Sequence, residues 1–437
     1  MNPENWLTES ILTEDERMQR IRYANLINYL RTTSLKPYQI AHTLHLMQNV
    51  SFTLFSDGYA TPPHTINLAV NNICNLRCEY CDLYYGRKNS NIHNDKIDFG
   101  VIDSHKKCEL PLETCKRIID EVAWFKPTIR TPWMEPLLYQ DIFNLIEYVK
   151  EKSLDFSMLT NGLLLKKYAE KLAQLHVDAL RISLDGPENV HDGLCGIKGA
   201  YRLAIDGMKH IVQRKKEGMC GTILDCYFTL TDKNYMNLVD MMESIEKEGL
   251  LEHMGVGFYM FNYISKHQVK KHNKEHRNIS GVSIHEASAK YVNLSNIVID
   301  KVIEQKEIIQ KRYKGAMVFF RPDFNRENLI HCLQDNDLSL PGSRCDVLSH
   351  VLYINPDGIV KSFPQCILPP VGNIYKNSIM EIWNGKIMRE QRGLMKEHGL
   401  FHGCTRCWCA YYGLEDSQNT WKDRQKNHKD TQNSRKL

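Results

Sequence analysis

The stretch INLAVNNICNLRCEYCDLYYG, residues 66–86, decides how this chain is read. Its apolar residues alternate at Ile66, Leu68 and Val70, the period of a strand. Directly afterwards Cys74, Cys78 and Cys81 place three thiols within eight residues at C-x3-C-x2-C spacing. A loop that short holds three corners of a cubane [4Fe–4S] cluster and leaves the fourth iron without a protein ligand. An open iron is a place for a small molecule to bind. The alternative is structural zinc, which takes four Cys or His ligands and usually two C-x2-C pairs. This loop offers three cysteines, and the nearest downstream histidine, His93, lies in a polar segment.

With Tyr80 before the third cysteine, the stretch resembles the signature of the radical S-adenosylmethionine (SAM) superfamily. The resemblance implies that the open iron chelates the amino and carboxylate groups of SAM. Reductive cleavage of SAM then yields a 5′-deoxyadenosyl radical that abstracts a substrate hydrogen atom. An external reductant such as flavodoxin or ferredoxin would supply the electron.

The chain has 437 residues, 42% hydrophobic and 25% charged, an ordinary globular composition with room for more than one domain. No apolar run approaches the roughly 18 residues of a membrane span, and the N-terminus lacks a basic region followed by an apolar core. A cytoplasmic protein is expected, in which fourteen cysteines read as metal ligands and not as a disulfide scaffold. The formal net charge is +4, all of it within residues 421–437, so the body is neutral. That argues against a nucleic-acid partner.

Residues 1–62 read as helical: Thr13-Glu14-Asp15-Glu16 has capping-box form, and Tyr23, Leu26, Ile27 and Leu30 follow at helical spacing, then Ile40, Leu44 and Met47. Residues 63–264 alternate strand and helix signals. Strands are expected at Thr65–Asn71, Thr128–Pro132, Asp155–Leu159, Ala179–Leu184, Thr222–Leu230 and Met254–Phe261. Six such strands match the partial (βα)6 TIM-like barrel that the family resemblance implies, an α/β fold with its cluster loop at a strand C-terminus. Residues 265–331 read as a polar linker with a long helix from Ala287 to about Tyr313. Within it His272 and His276 have i, i+4 spacing, but lysines surround them and a solvated charged loop is expected. Residues 414–437 read as a polar, disordered tail.

The resemblance also implies SAM contacts. In TPWMEPLL (131–138), Glu135 and Pro136 match the family's glycine-glycine-glutamate-proline segment, with Trp133 and Met134 in place of the glycines. Glu135 would accept from the SAM ammonium. Leu159-Thr160-Asn161-Gly162 and Ser183-Leu184-Asp185-Gly186 end the third and fourth strands, where Asn161, Ser183 and Asp185 would reach the ribose and the methionine carboxylate. Cys195 stands where relatives often carry an arginine, and adenine recognition is expected around Tyr80 and the sixth strand.

Within 332–413, Tyr353–Asn355 and Ile359–Lys361 flank the turn Pro356-Asp357-Gly358. Cys345, Cys366 and the pair Cys404 and Cys407 surround this hairpin, which resembles the α+β SPASM and twitch extensions of radical SAM enzymes. The resemblance implies one auxiliary [4Fe–4S] cluster on these four thiolates, with zinc as the alternative occupant. Cys409 is left over as a candidate hydrogen-atom donor, an alternative ligand or an inert buried thiol.

The resemblance to SPASM-bearing enzymes implies a ribosomally made peptide as substrate, modified by cross-linking, thioether formation or epimerisation. The alternative is radical dehydrogenation, dehydration or epimerisation of an aminosugar. A zinc-stabilised binding protein without radical chemistry is the non-enzymatic reading.

Overall fold

The computed structural model describes residues 57–81, 107–279, 281–284, 294–334, 345, 347–364, 366–407 and 409–410. The expected N-terminal helices, His93 and the polar tail lie outside the described residues. In chain order the elements begin with β1 (Thr65–Leu68), α1 (Leu112–Val122), β2 (Thr128–Thr131), α2 (Ile142–Glu151), β3 (Phe156–Thr160) and α3 (Leu165–Gln174). They continue with β4 (Ala179–Ser183), α4 (Glu188–Cys195), α5 (Ala200–Lys216), β5 (Ile223–Leu230), α6 (Leu238–Lys247) and β6 (Met254–Met260). Then come α7 (Lys266–Glu275), α8 (Ile299–Arg312), β7 (Met317–Arg321) and α9 (Arg326–Leu333). The last are β8 (Val351–Ile354), β9 (Ile359–Lys361), β10 (Gly372–Asn373), α10 (Ile379–Trp383) and α11 (Lys386–His398).

Two compact units result. The first comprises Met1–Ile73, Lys107–Ser157 and Asp346–Gly399; the second comprises Cys74–Lys106, Met158–Cys345 and Leu400–Leu437.

In the first unit β1 lies between β2 and β8, parallel to both, and β8, β9 and β10 continue as an antiparallel meander. The register separates two faces by the period of two. Ile66 stands opposite Ile129 and Leu352, and Ile354 opposite Val360, all fully buried. On the other face Asn67 stands opposite both Arg130 and Tyr353, and Tyr353 opposite Lys361. At one strand spacing per step this polar row runs about 14 Å. Behind the meander Trp383 is fully buried, its indole N–H donating to the Thr61 carbonyl at 2.7 Å. The buried Arg392 guanidinium lies 4.4 Å from that ring and donates to the carbonyls of Leu348 and Gly58, which compensates its desolvation.

The second unit holds the parallel strands β4, β5, β6 and β7. Leu180, Ile182, Leu224, Cys226, Phe228, Val256, Phe258 and Phe320 form its apolar face, all buried. Arg181, Asp225, Ser183, Tyr227, Thr229, Tyr259 and Arg321 alternate with them on the other. Gly257 is required there: a Cβ would lie 2.2 Å from the Phe319 ring.

The six expected strands are present to within a few residues. Three readings need correction. β7 is a seventh parallel strand, in a stretch the sequence left in the linker after the long helix. Residues 287–293 of that helix lie outside the described residues; after the short turn Leu294–Asn296 and an extended Val298, α8 starts at Ile299. Residues 266–275 are a helix and not a solvated loop: Ser265 and Gln268 form a reciprocal capping box, and His272 is fully buried.

The turn after β2 takes a left-handed conformation at Met134, with φ of 61°. This is one of the positions where the family segment has glycine, so the backbone keeps the glycine geometry under a residue that pays about 1–2 kcal/mol for it. Met134→Gly is therefore expected to leave the unfolding free energy unchanged or to raise it by up to about 1 kcal/mol, whereas the β-branched Met134→Val lowers it. Chemical denaturation of the two variants checks this; a clear loss in the glycine variant would show that the methionine side chain outweighs the strain.

Candidate active site at the cysteine loop

The loop from Cys74 to Cys81 has little regular structure, and its shape comes from what its polar groups meet. The N–H groups of Arg77 and Glu79 donate to the carbonyls of Cys195 and Leu194, at 3.2 and 2.9 Å. These are the last carbonyls of α4, which lack partners within the helix. The Cys195 contact uses backbone only, so it does not depend on the side chain at the position where relatives often carry an arginine.

Asn161, at the end of β3, is 7% exposed and bridges to the loop. Its amide donates to Asn75 Oδ1 at 2.8 Å and to Cys74 Sγ at 3.7 Å, while its Oδ1 accepts the Leu163 N–H at 3.0 Å. Leu76 N–H also points at Cys74 Sγ, at 3.5 Å. Gly162 lets this turn close, with φ of 81° and no room for a Cβ, which would fall 2.5 Å from Ala204.

Asp185, after β4, is 2% exposed. One oxygen accepts the Tyr80 phenol and the other the Thr229 N–H at 2.8 Å. Burial raises its carboxyl to about 6, against the lowering effect of these two donors. Burial, then the Asp185 charge, lifts the Tyr80 phenol well above its ordinary range, so Tyr80 stays a donor. Behind it His191 accepts the Asp185 N–H at 3.2 Å through Nδ1. Ser183 closes β4 opposite Tyr227 and is half-buried.

Glu135, in the first unit, is fully buried. Its Oε1 accepts the Leu137 N–H at 3.1 Å, capping the short turn Pro136–Leu138, and its own N–H donates to the Ile73 carbonyl at 3.0 Å. One carboxylate oxygen thus already has a structural role.

The donor set suits an iron–sulfur cluster. Burial pushes the Cys78 thiol strongly up, with Asp185, Cys81 and Cys74 adding to it, so the thiol stays protonated until a cationic centre binds and favours the thiolate.

Three contributors were not read from the sequence. The Phe261 ring meets Tyr80 edge-on at 6.0 Å, and Tyr263 stacks on Phe261 at 6.3 Å. Arg406 lies over Tyr263 at 4.7 Å and donates to the Cys332 carbonyl at 2.7 Å. It is 3% exposed and sits between Cys404 and Cys407, whose turn closes with a 3.0 Å N–H···O bond. A buried cation inside CTRC was the available signal. Cys345 and Cys366 are partly exposed, and Cys409 is 5% exposed.

The model of the radical SAM superfamily matches residues 68–243, and that of the SPASM iron–sulfur cluster-binding domain matches 345–408. Residues 68–243 thus form a radical SAM domain, and residues 345–408 a SPASM domain. The protein is an enzyme whose cofactors are a [4Fe–4S] cluster and SAM, and its SPASM domain indicates auxiliary iron–sulfur binding. Fe-coproporphyrin III synthase of Methanosarcina barkeri is 29% identical over 177 residues, 40% of this chain and 39% of that protein. A probable GTP 3′,8-cyclase of Methanococcus maripaludis is 27% identical over 280 residues, 63% and 82% of the two chains. The chain thus spans about two-fifths of the first relative's length. Among solved structures, Streptococcus suis SuiB bound to SAM aligns with a TM-score of 0.52 at 15% identity, covering 89% of this chain and 76% of SuiB. AnSMEcpe with AdoMet and the Cp18Cys peptide gives 0.51 at 14%, covering 80% and 88%. These likenesses show the fold, a partial TIM-like barrel with a C-terminal SPASM domain. No helix among the described residues is long and apolar enough to cross a membrane.

Two outcomes follow for the radical SAM loop. Asn161→Ala removes two donors and should weaken loop anchoring by about 1–2 kcal/mol, and Asn161→Asp should do more by placing an anion beside Cys74. Iron and acid-labile sulfide retained after anaerobic desalting measure this; full iron in both variants would show the clamp to be dispensable. Burial also pushes His191 down to about 4 from 6.5. Its contribution to stability is present above pH 6.5 and is lost as the pH falls towards 4, because the unfolded chain then binds the extra proton. Asp185, raised to about 6, acts with the opposite sign as the pH falls through that value. His191→Asn should therefore flatten the fall of the thermal midpoint below pH 6.5; an unchanged acid slope would remove His191 from the titration.

Proposed function

We propose that this enzyme modifies a ribosomally made peptide, and that the peptide carries an acidic group. The observation that carries the reading is the polar row of Arg130, Asn67, Tyr353 and Lys361. Lys361 is 1% exposed and Tyr353 2%, and burial leaves the Asn67 Oδ1 and Tyr353 hydroxyl without a hydrogen-bond partner among the described residues. Buried orphan groups of this kind cost about 1–3 kcal/mol each and fit a ligand rich in amides. The two cations at the ends of the row favour a carboxylate and oppose an aminosugar, which is itself cationic. Trp133, edge-on to Tyr353 at 6.3 Å, adds an apolar wall. SuiB bound to its precursor peptide SuiA has this fold, which agrees with the reading.

When bound, the [4Fe–4S] cluster and SAM supply the 5′-deoxyadenosyl radical that takes a hydrogen atom from the substrate. Cys74, Cys78 and Cys81 would ligate the cluster. Glu135, Asn161, Ser183 and Asp185 would line the SAM side, with Tyr80 held by Asp185 against the Phe261 ring where adenine is expected. Cys345, Cys366, Cys404 and Cys407 would hold an auxiliary [4Fe–4S] cluster. Cys409 is the candidate donor that returns a hydrogen atom if the reaction is an epimerisation. A flavodoxin or ferredoxin would serve as reductant.

The test uses anaerobically reconstituted enzyme with peptides encoded beside its gene, following 5′-deoxyadenosine and peptide mass. Arg130→Gln and Lys361→Gln should each raise the peptide KM about tenfold, as expected for a lost charge-assisted hydrogen bond. Substrate-free SAM cleavage should be unchanged. Stimulation of 5′-deoxyadenosine by an aminosugar and by no peptide would overturn the proposal.

A further inference from the structure

We propose that Glu275, His276 and His402 form a binding site for one divalent transition-metal ion of the zinc class, separate from every cysteine position. The inference is independent of the substrate. One ligand atom from each of the three lies within 4.8 Å of the other two. Two imidazoles and a carboxylate are the donor set of open zinc sites, where solvent takes the fourth position.

The placement has physical reasons. Glu275 is the last residue of α7 and His276 its C-cap, with φ of −107° and ψ of 17°. Leaving helical geometry there lets two consecutive residues reach one point, which helix geometry otherwise prevents. His402 arrives from the turn His402–Cys404, and its Nε2 is already 2.5 Å from Glu275 Oε2.

The surroundings are those of an ordered site. Phe401 is 1% exposed and stands edge-on to His276 at 4.8 Å, an apolar wall beneath the donors. His272 is not a ligand, although the sequence HNKEH places it i, i+4 from His276. Both its nitrogens are occupied, Nε2 by the Val282 carbonyl at 2.5 Å and Nδ1 by the Gly403 N–H at 3.4 Å. It braces the residue after His402 and so fixes that donor relative to α7, the part that outer partners play at metal sites. Lys271 lies 3.9 Å from the second Glu275 oxygen and would balance the carboxylate charge.

An ion here would tie the end of α7 to the turn that leads into Cys404. The Thr405 hydroxyl donates to the His402 carbonyl at 2.8 Å and the Cys404 N–H to the Phe401 carbonyl at 2.8 Å, so stiffening at His402 passes directly to that cysteine.

The experiment takes iron-loaded full-length protein, adds zinc chloride, desalts, and measures zinc and iron together with the thermal midpoint. One zinc per chain above the iron, with iron unchanged and a midpoint raised by about 2 °C or more, is expected. The double variant His276→Ala/His402→Ala should lose both effects. Glu275→Gln, altering an exposed side chain that the fold does not need, should bind zinc about tenfold more weakly or worse. It decides the matter if the double variant fails to fold. Zinc retained equally by wild type and Glu275→Gln, no zinc retained by either, or zinc entering only as iron leaves would each overturn the assignment.

Discussion

Burial of ionisable groups around the cysteine loop is the constraint that the rest of the site answers. Three thiols and the Asp185 carboxylate converge in a place where burial already opposes ionisation. Neutral donors offset part of this: the Asn161 amide and the Leu76 N–H reach Cys74, and the Tyr80 phenol and the Thr229 N–H reach Asp185. The ends of β3 and β4 and the last carbonyls of α4 each contribute one attachment. A loop with no regular structure thereby acquires a fixed shape from regular elements, the condition for aiming a reactive group at one C–H bond.

The same division of labour runs through the strands of each unit. Each has one face of buried aliphatic and aromatic residues and one face of polar ones. On the polar face cations and hydrogen-bonding groups outnumber acids: Arg130 and Lys361 in the first unit, Arg181 and Arg321 against Asp225 in the second. A wall of that kind tolerates amides and carboxylates and repels amines.

Much of this could be seen in the sequence because cysteine spacing and strand periodicity are local. C-x3-C-x2-C marks the loop, and the alternation in Thr65–Leu68 or Ile223–Leu230 marks strands whatever packs on them. What escaped was non-local. β7 is five residues long, and only its register with β6 makes Met317–Arg321 a strand. α7 has a strong capping box, but its lysines hide the one buried stripe formed by Val269 and His272. Asp185 read as a SAM contact because its side chain is polar and ends a strand; that Tyr80 reaches it from the other side of the loop is a tertiary fact. Arg406 was passed over between two cysteines that drew the attention. Glu135 shows the converse, a residue found by motif whose capping bond to Leu137 no motif reports.

The interleaving of the two units in the chain bears on synthesis at the ribosome. β1 needs β2 on one edge and β8 on the other, and β8 begins only at Val351, after almost all of the second unit has emerged. Until then one edge of β1 presents unpaired backbone groups of the kind that recruit other strands. Cys366, Cys404 and Cys407 emerge later still. A nascent chain thus exposes its first set of thiols well before the second edge of β1 can be paired.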